Sequence, residues 1–315
     1  MEELTAQALP LAEWLDVLER EYLTDFIPAG GGALKLAIAE EATLPAAQAR
    51  LVALAAQHGL HPVAVDAAQT RIHMLQDVVF ALARTLPSDD LIQTFLERLF
   101  AAHEYAWPQP GAAMTMPDLA AAFGTAPALL ARQTDRWLSA AIWEDRRLAQ
   151  DFRAAMLHLC LARLAGEDAA PVLSWLRGEE VALTLLRGAD ISARITRTNA
   201  RAMLVSICHF VRQCGGTGML LTLDLRQVSR VGAVGDGEMR YSTAAAMDAF
   251  EVLREVIDDA EHLPGLLAVV LAGPPLISGD PRRALAQYAA LNMRVWPDVR
   301  PGDRQNPAAP LVWLA

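Results

Sequence analysis

The sequence predicts an α/β fold: a parallel sheet with helices on both faces, interrupted by a large helical insertion. Three observations carry this. The apolar runs "ALKLAIA", "HPVAVDA", "MLLTLDL" and "LLAVVLAG" lack strict polar alternation, as strands do when helices cover both sheet faces. The first two bracket a helical stretch closed by Gly59, a strand–helix–strand unit that requires parallel strands joined by a right-handed crossover. From about residue 85 to 200 the pattern is almost wholly helical.

Each element follows from local patterning. Over residues 11–26, Leu11, Leu15, Leu18, Tyr22 and Phe26 share one helical stripe, and "IPAGGG" then breaks the helix. Residues 33–39 read as the first strand. The helix over 45–57 starts at Pro45, suited to a first turn, and is capped by Gly59. A second strand is expected at 61–67, followed by helices at 74–84 and 88–105, the loop "WPQPGAAMTMP" and a helical block over 118–165. Further helices lead to a third strand at 219–225. A helix over 243–260 precedes the fourth strand at 266–273, and "PLVWLA" reads as a last strand or a tail. The implied organisation is a first part of the core over 1–84, an insertion over 85–200 and a second part of the core over 201–315.

Composition excludes several classes. Hydrophobic residues make up 53% and charged residues 20%, so a substantial core can be buried. A formal charge of −10 argues against a surface that coats nucleic acid, and 6% aromatic content against a base-stacking platform. The acidic start and the absence of a long uncharged apolar run predict neither a signal peptide nor a membrane span, hence a cytoplasmic protein. Cys160, Cys208 and Cys214 have no metal-binding spacing and read as buried free thiols, and no metal site is expected. His58 and His61 do not make a metal pair by spacing, and Asp258, Asp259 and Glu261 read as the solvated end of a helix. Arg146, Arg147 and Arg153 in "WEDRRLAQDFR" read as a solvated helix face, and "GAVGDGEMRY" (232–241) as a loop.

The corner between the first strand and its helix is chemically unusual. A phosphate loop there needs small residues, inward-facing amides, a lysine and a Ser/Thr hydroxyl. Ala39-Glu40-Glu41-Ala42-Thr43-Leu44-Pro45-Ala46 offers no glycine, two carboxylates and a proline without an N–H. "MLLTLDL" ends near Asp224, where a magnesium-binding aspartate would stand, but Leu225 follows in place of a glutamate that could orient water. The fourth strand runs into Gly273-Pro274, so no polar side chain is offered at Pro274 to sense a γ-phosphate.

The ordered landmarks Trp175-Leu176-Arg177-Gly178-Glu179, Asn199-Ala200-Arg201, Ile257-Asp258 and Leu263-Pro264-Gly265-Leu266, with "LEREYLTDFIPAGGGALKLAIAEE" before them and "DPRRALAQYAALNMRV" after, span most of the chain. On these residues the chain resembles the BrxD-like P-loop ATPases of BREX phage-defence systems. The resemblance implies a P-loop NTPase, AAA+-like core. It places the lysine loop on Ala39–Ala46, with Pro45 at the lysine, and the magnesium site on Asp224-Leu225. It makes Arg282 or Arg283 the candidate for an arginine acting on a neighbour's nucleotide, and Arg294 is a further candidate. Such ATPases usually continue into a winged-helix-like region, which is not expected here.

The expectation is therefore a pseudoenzyme with no cofactor, ATP binding being disfavoured, that serves as a protein-binding adaptor or scaffold. Its partner would be a protein or peptide, or a further copy of itself; nucleic acid and membrane are not favoured. Two alternatives are a precursor-peptide-binding accessory in a biosynthetic cluster and an in-trans regulator of an active ATPase paralogue.

Overall fold

The computed structural model describes residues 8–231, 235, 237–296 and 305–315. In chain order the elements are α1 (Leu11–Leu18), β1 (Ala33–Ile38), α2 (Leu44–Gln57), β2 (Leu60–Asp66), α3 (Leu75–Thr85), α4 (Ser88–Ala102), α5 (Met116–Ala122), α6 (Pro127–Leu138), α7 (Gln150–Ala165), α8 (Ala170–Leu176), α9 (Ala200–Gln213), β3 (Gly218–Asp224), α10 (Thr243–Asp258), β4 (Leu266–Ala272), α11 (Ala289–Val295) and β5 (Leu311–Trp313), with shorter helical turns between them. The chain divides into two compact units. One joins the residues up to Ala81 with those from Gly216 onward, and the other comprises Leu82–Gly215.

The first unit holds a five-stranded, all-parallel sheet in the order β2-β3-β4-β1-β5, consistent with a P-loop NTPase-like core. The interior runs form strands covered on both faces, β3 and β4 being buried at every residue, whereas "HPVAVDA" forms the edge strand β2, where Ala64 and Asp66 are exposed and only Leu60, Val63 and Val65 are buried. On one face Trp14 and Leu18 of α1 and Leu44, Leu51 and Ala55 of α2 pack in a single cluster with Ala37, Leu220, Val269 and Leu271. Burying each such leucine contributes roughly 1.5–3 kcal/mol. The stripe over 11–26 is helical only in part. A π-helical turn over Glu19–Leu23 follows α1, and the chain then turns through residues 24–30 into β1.

"PLVWLA" is a strand, pairing Leu311–Trp313 with Leu36–Ile38 of β1. The Leu9 N–H donates to the Trp313 carbonyl (2.7 Å) and the Ala315 N–H to the Leu9 carbonyl (2.8 Å), so this edge is partly covered by the chain's own early residues. Lys35, the only lysine in the sequence, is buried beneath this edge. Its Nζ donates to the Ala308 carbonyl (2.5 Å) and lies 4.3 Å from the Tyr22 ring centroid. Burial pulls its pKa down to about 8. At the start of β3, Gly218 (φ 154°) lies so close to the neighbouring backbone that an added Cβ would stand 2.1 Å from the Gly265 oxygen.

The second unit is helical throughout its regular structure among the described residues. Helix α9, which the sequence pattern joins to the second part of the core, groups by its contacts with the helices. "WEDRRLAQDFR" is not one helix face: a π-helical turn ends at Trp143, and α7 begins only at Gln150. In the corner between them Arg147 pairs with Asp145 (2.8 Å), while Arg153 lies over the Trp143 ring and donates to its carbonyl (2.7 Å). All three cysteines are buried and free. In the sheet unit, the carboxylates at the end of α10, expected to be solvated, are not all so: Asp259 is buried, and Asp258 pairs with Arg254 and Arg294. No described helix is long and apolar enough to cross a membrane.

Candidate functional site

The carboxyl ends of β1 to β4 meet around a cavity of about 220 Å³. Ligand sites in open parallel sheets form at this edge, because the strand-to-helix loops leave side chains and backbone amides facing one crevice. Glu41 enters it from the loop after β1, Asp66 and Asp224 from the last positions of β2 and β3, and Gly273 and Pro275 from the segment after β4. Asp66 stands directly opposite Asp224 in the strand register.

Asp224 is the most constrained group in the cavity. It is only 6% exposed. The Arg226 guanidinium folds back onto it: Nε lies 3.0 and 2.9 Å from the two carboxylate oxygens, and Nη2 lies 2.6 Å from one of them. The Arg226 N–H donates to the same carboxylate (3.0 Å). Hydrogen bonding to Asp224, reinforced by the nearby Asp66 and Glu41, raises the Arg226 pKa and keeps it charged. Asp66 spends one oxygen on the Ala68 N–H (2.7 Å), and Glu41 is exposed at the rim.

A second wall comes from residues 238–241. The Met239 N–H donates to the Ala68 carbonyl (2.8 Å), and Gln227 Nε2 to the Met239 carbonyl (2.8 Å). The Tyr241 hydroxyl donates to the Thr70 carbonyl (2.7 Å) and accepts from the Ile72 N–H (3.1 Å). Glu238 faces Arg230 at 3.6 Å. This part of "GAVGDGEMRY" is thus pinned beside the cavity; Gly232, Ala233, Val234 and Asp236 lie outside the described residues.

The sequence-derived positions separate into several groups. Ala39 ends the strand, its N–H donating to the Ala272 carbonyl (3.0 Å), and Glu40 and Ala42 are exposed in the corner. Thr43 precedes α2 without capping it through its side chain, Leu44 is buried in the core, and Pro45 sits in the first turn. Leu225 is 0% exposed and turned away from the cavity into the core. Pro274 starts a short turn, and its carbonyl accepts from the Ile277 N–H (3.0 Å).

The three arginines do not share one place. Arg282 pairs with Asp280 (3.1 Å) while its side chain is 79% exposed. Arg283 donates to the Arg230 carbonyl (3.0 Å), and Arg294 is held by Asp258 (2.5 Å). Arg226 and Asp66 went unrecognised in the sequence. The only signal was "DLRQ", an arginine two residues after the aspartate.

The cavity offers the carboxylates of Glu41, Asp66, Asp224 and Glu238 against the guanidiniums of Arg226 and Arg230. Such a lining repels phosphate at its rim and already satisfies its deepest carboxylate internally. A sequence model of the family described as BREX system ATP-binding protein BrxC/D matches residues 125–315, more than half of the chain. The matched part contains β3, β4 and β5 but not the corner after β1. No curated protein and no solved structure matches.

Proposed function

Because the chain belongs to the BREX system ATP-binding BrxC/D family, and so to a phage-defence system, we propose that it acts there as a catalytically inactive member that works by binding other proteins. The observation that carries this reading is the Arg226–Asp224 pair. A magnesium nucleotide needs a strand-end carboxylate free for the metal and its waters, and it needs cationic or amide donors for the phosphates. Here the carboxylate is occupied by a guanidinium two residues away. The phosphate corner carries Glu40, Glu41 and Pro45, and the only lysine is buried against the Ala308 carbonyl. Leu225 can neither orient nor deprotonate water. These residues do not fit Mg·ATP.

What persists is the scaffold, which can present loops and helical surfaces to partners as an adaptor. The test is incubation of the purified protein with ATP and magnesium, with turnover and equilibrium binding measured side by side. Neither is expected; turnover above the enzyme-free blank or micromolar ATP affinity overturns the reading.

A second reading, regulation of an active ATPase paralogue in trans, is favoured by the exposure of Arg282 alone. An exposed pair such as Arg282–Asp280 costs little to break, so this guanidinium can reach a neighbour. Co-expression with the paralogue and an Arg282→Ala/Arg283→Ala double variant decides it; unchanged paralogue turnover eliminates it.

A further inference from the structure

The helical unit contains a feature that the sheet cleft does not explain. Leu86, Ile92, Phe152, Met156, Leu159 and Phe210 line an apolar cavity of about 50 Å³ between α3, α4, α7 and α9. An apolar cavity of roughly 150 Å³ is what a benzene-sized molecule requires. The slot is therefore too small for a cofactor or drug-sized ligand but takes the end of one aliphatic side chain.

A second cavity, of about 280 Å³, shares Ser88, Ile92 and Leu159 with the first, so the two adjoin. Its lining is polar and asymmetric in charge: Asp89, Glu167 and Asp168 stand against Arg163 alone. Arg163 is turned toward the Gln93 side-chain oxygen (3.3 Å). Asp168 spends one oxygen on the Ala170 N–H at the start of α8 (2.9 Å). Asp89 and Glu167 are exposed and carry no ion pair among the described residues. Gly166 ends α7 in the left-handed conformation (φ 70°), which sets Glu167 and Asp168 beside the negative end of that helix. The side-chain charge at the mouth is therefore net negative, three carboxylates against one guanidinium, with Asp89 and Asp168 at the positive starts of α4 and α8.

We infer that this slot and its acidic mouth dock a basic amphipathic peptide segment of a partner protein, one aliphatic side chain filling the apolar end and Lys or Arg side chains facing Asp89, Glu167 and Asp168. Charge complementarity selects this occupant. An acidic segment would be repelled, and a neutral one would leave three carboxylates to be desolvated without compensation. Helical spacing supplies the geometry, since residues three or four apart present an apolar anchor and a cation on neighbouring positions. The inference rests on the reading of the protein as a binding module and names the partner chemistry.

The probe is a fluorescein-labelled 18-residue peptide of leucine and lysine patterned as an amphipathic helix, titrated with the full-length protein and followed by anisotropy. Leu/Gln and Leu/Glu peptides of the same pattern serve as comparisons. Saturable micromolar binding of the Leu/Lys peptide is expected, at least tenfold tighter than either comparison and weakened by added salt. An Asp89→Lys/Glu167→Lys variant, and separately a Ser88→Trp variant that plugs the junction of the two cavities, are each expected to weaken it at least tenfold with unchanged thermal melting. Absence of saturation, equal binding of the Leu/Gln peptide, or affinity that survives both variants overturns the inference. Should a variant not fold, the peptide comparison on the wild-type protein still decides. Failure here leaves the ATP measurement untouched, and ATP turnover beside intact peptide binding would remove only the pseudoenzyme reading.

Discussion

Arg226 holds both carboxylate oxygens of Asp224 at the end of the interior strand β3, with contacts of 2.6 to 3.0 Å. The cation that a strand-end aspartate requires is thereby supplied by the same loop. This closes the deepest part of the cleft electrostatically and leaves Glu41 and Asp66 to set its outward character.

The first prediction concerns that pair. Arg226→Ala leaves a buried carboxylate without its counter-ion and is expected to cost about 1–3 kcal/mol at pH 7, discounted for the partial exposure of the guanidinium. Denaturant unfolding at pH 7 measures it; a variant as stable as wild type would show that Arg226 is not the counter-ion.

Restoring the missing glutamate should damage the fold before it helps catalysis. Leu225 is fully buried and its N–H donates to the Leu271 carbonyl (2.8 Å), so the side chain at this position faces core, not cleft. Leu225→Glu is expected to lose at least about 2–4 kcal/mol of stability and to gain no ATP turnover. A stable variant with a normal melting temperature contradicts the inward orientation.

Lys35 predicts a pH dependence. Its folded-state pKa is lowered to about 8, against an ordinary value near 10.4, so the folded state binds fewer protons between these limits. Stability from this group is present above the unfolded value and is lost as pH falls through about 8. Between pH 7 and 10.5, wild type should gain about 2–3 kcal/mol relative to Lys35→Met, which has no amine to titrate. A constant difference across that range would mean that the amine is not desolvated.

The thiols predict the opposite slope. Burial raises all three pKa values, those of Cys208 and Cys214 to about 12. The stability this represents is complete below the ordinary thiol value near 8.5 and is lost as pH rises from there toward the folded values. Cys160, Cys208 and Cys214 should therefore resist iodoacetamide at pH 8 in the folded protein and all react once it is unfolded. Rapid labelling of any one under native conditions would place it at the surface.

Much of this protein was determined by local sequence alone. "ALKLAIA", "MLLTLDL" and "LLAVVLAG" are strands within a residue of where their apolar runs stand, because a strand covered on both faces cannot tolerate polar alternation. The strand–helix–strand unit fixes parallel pairing, and the residues of the corner after β1 declare its poor chemistry for phosphate without reference to any contact. Tertiary structure decided the rest. Only pairing between distant segments puts β4 between β1 and β3, and only that order brings Glu41, Asp66, Asp224 and Pro275 around one cavity. Helix α9 shows the same limit: its periodicity reveals a buried face, but not which unit covers it. The arginine after Asp224 was visible in the sequence, yet nothing local says whether it extends into water or folds back. Burial of the aspartate decides that, since an unpaired carboxylate out of water costs more than ordering one arginine side chain.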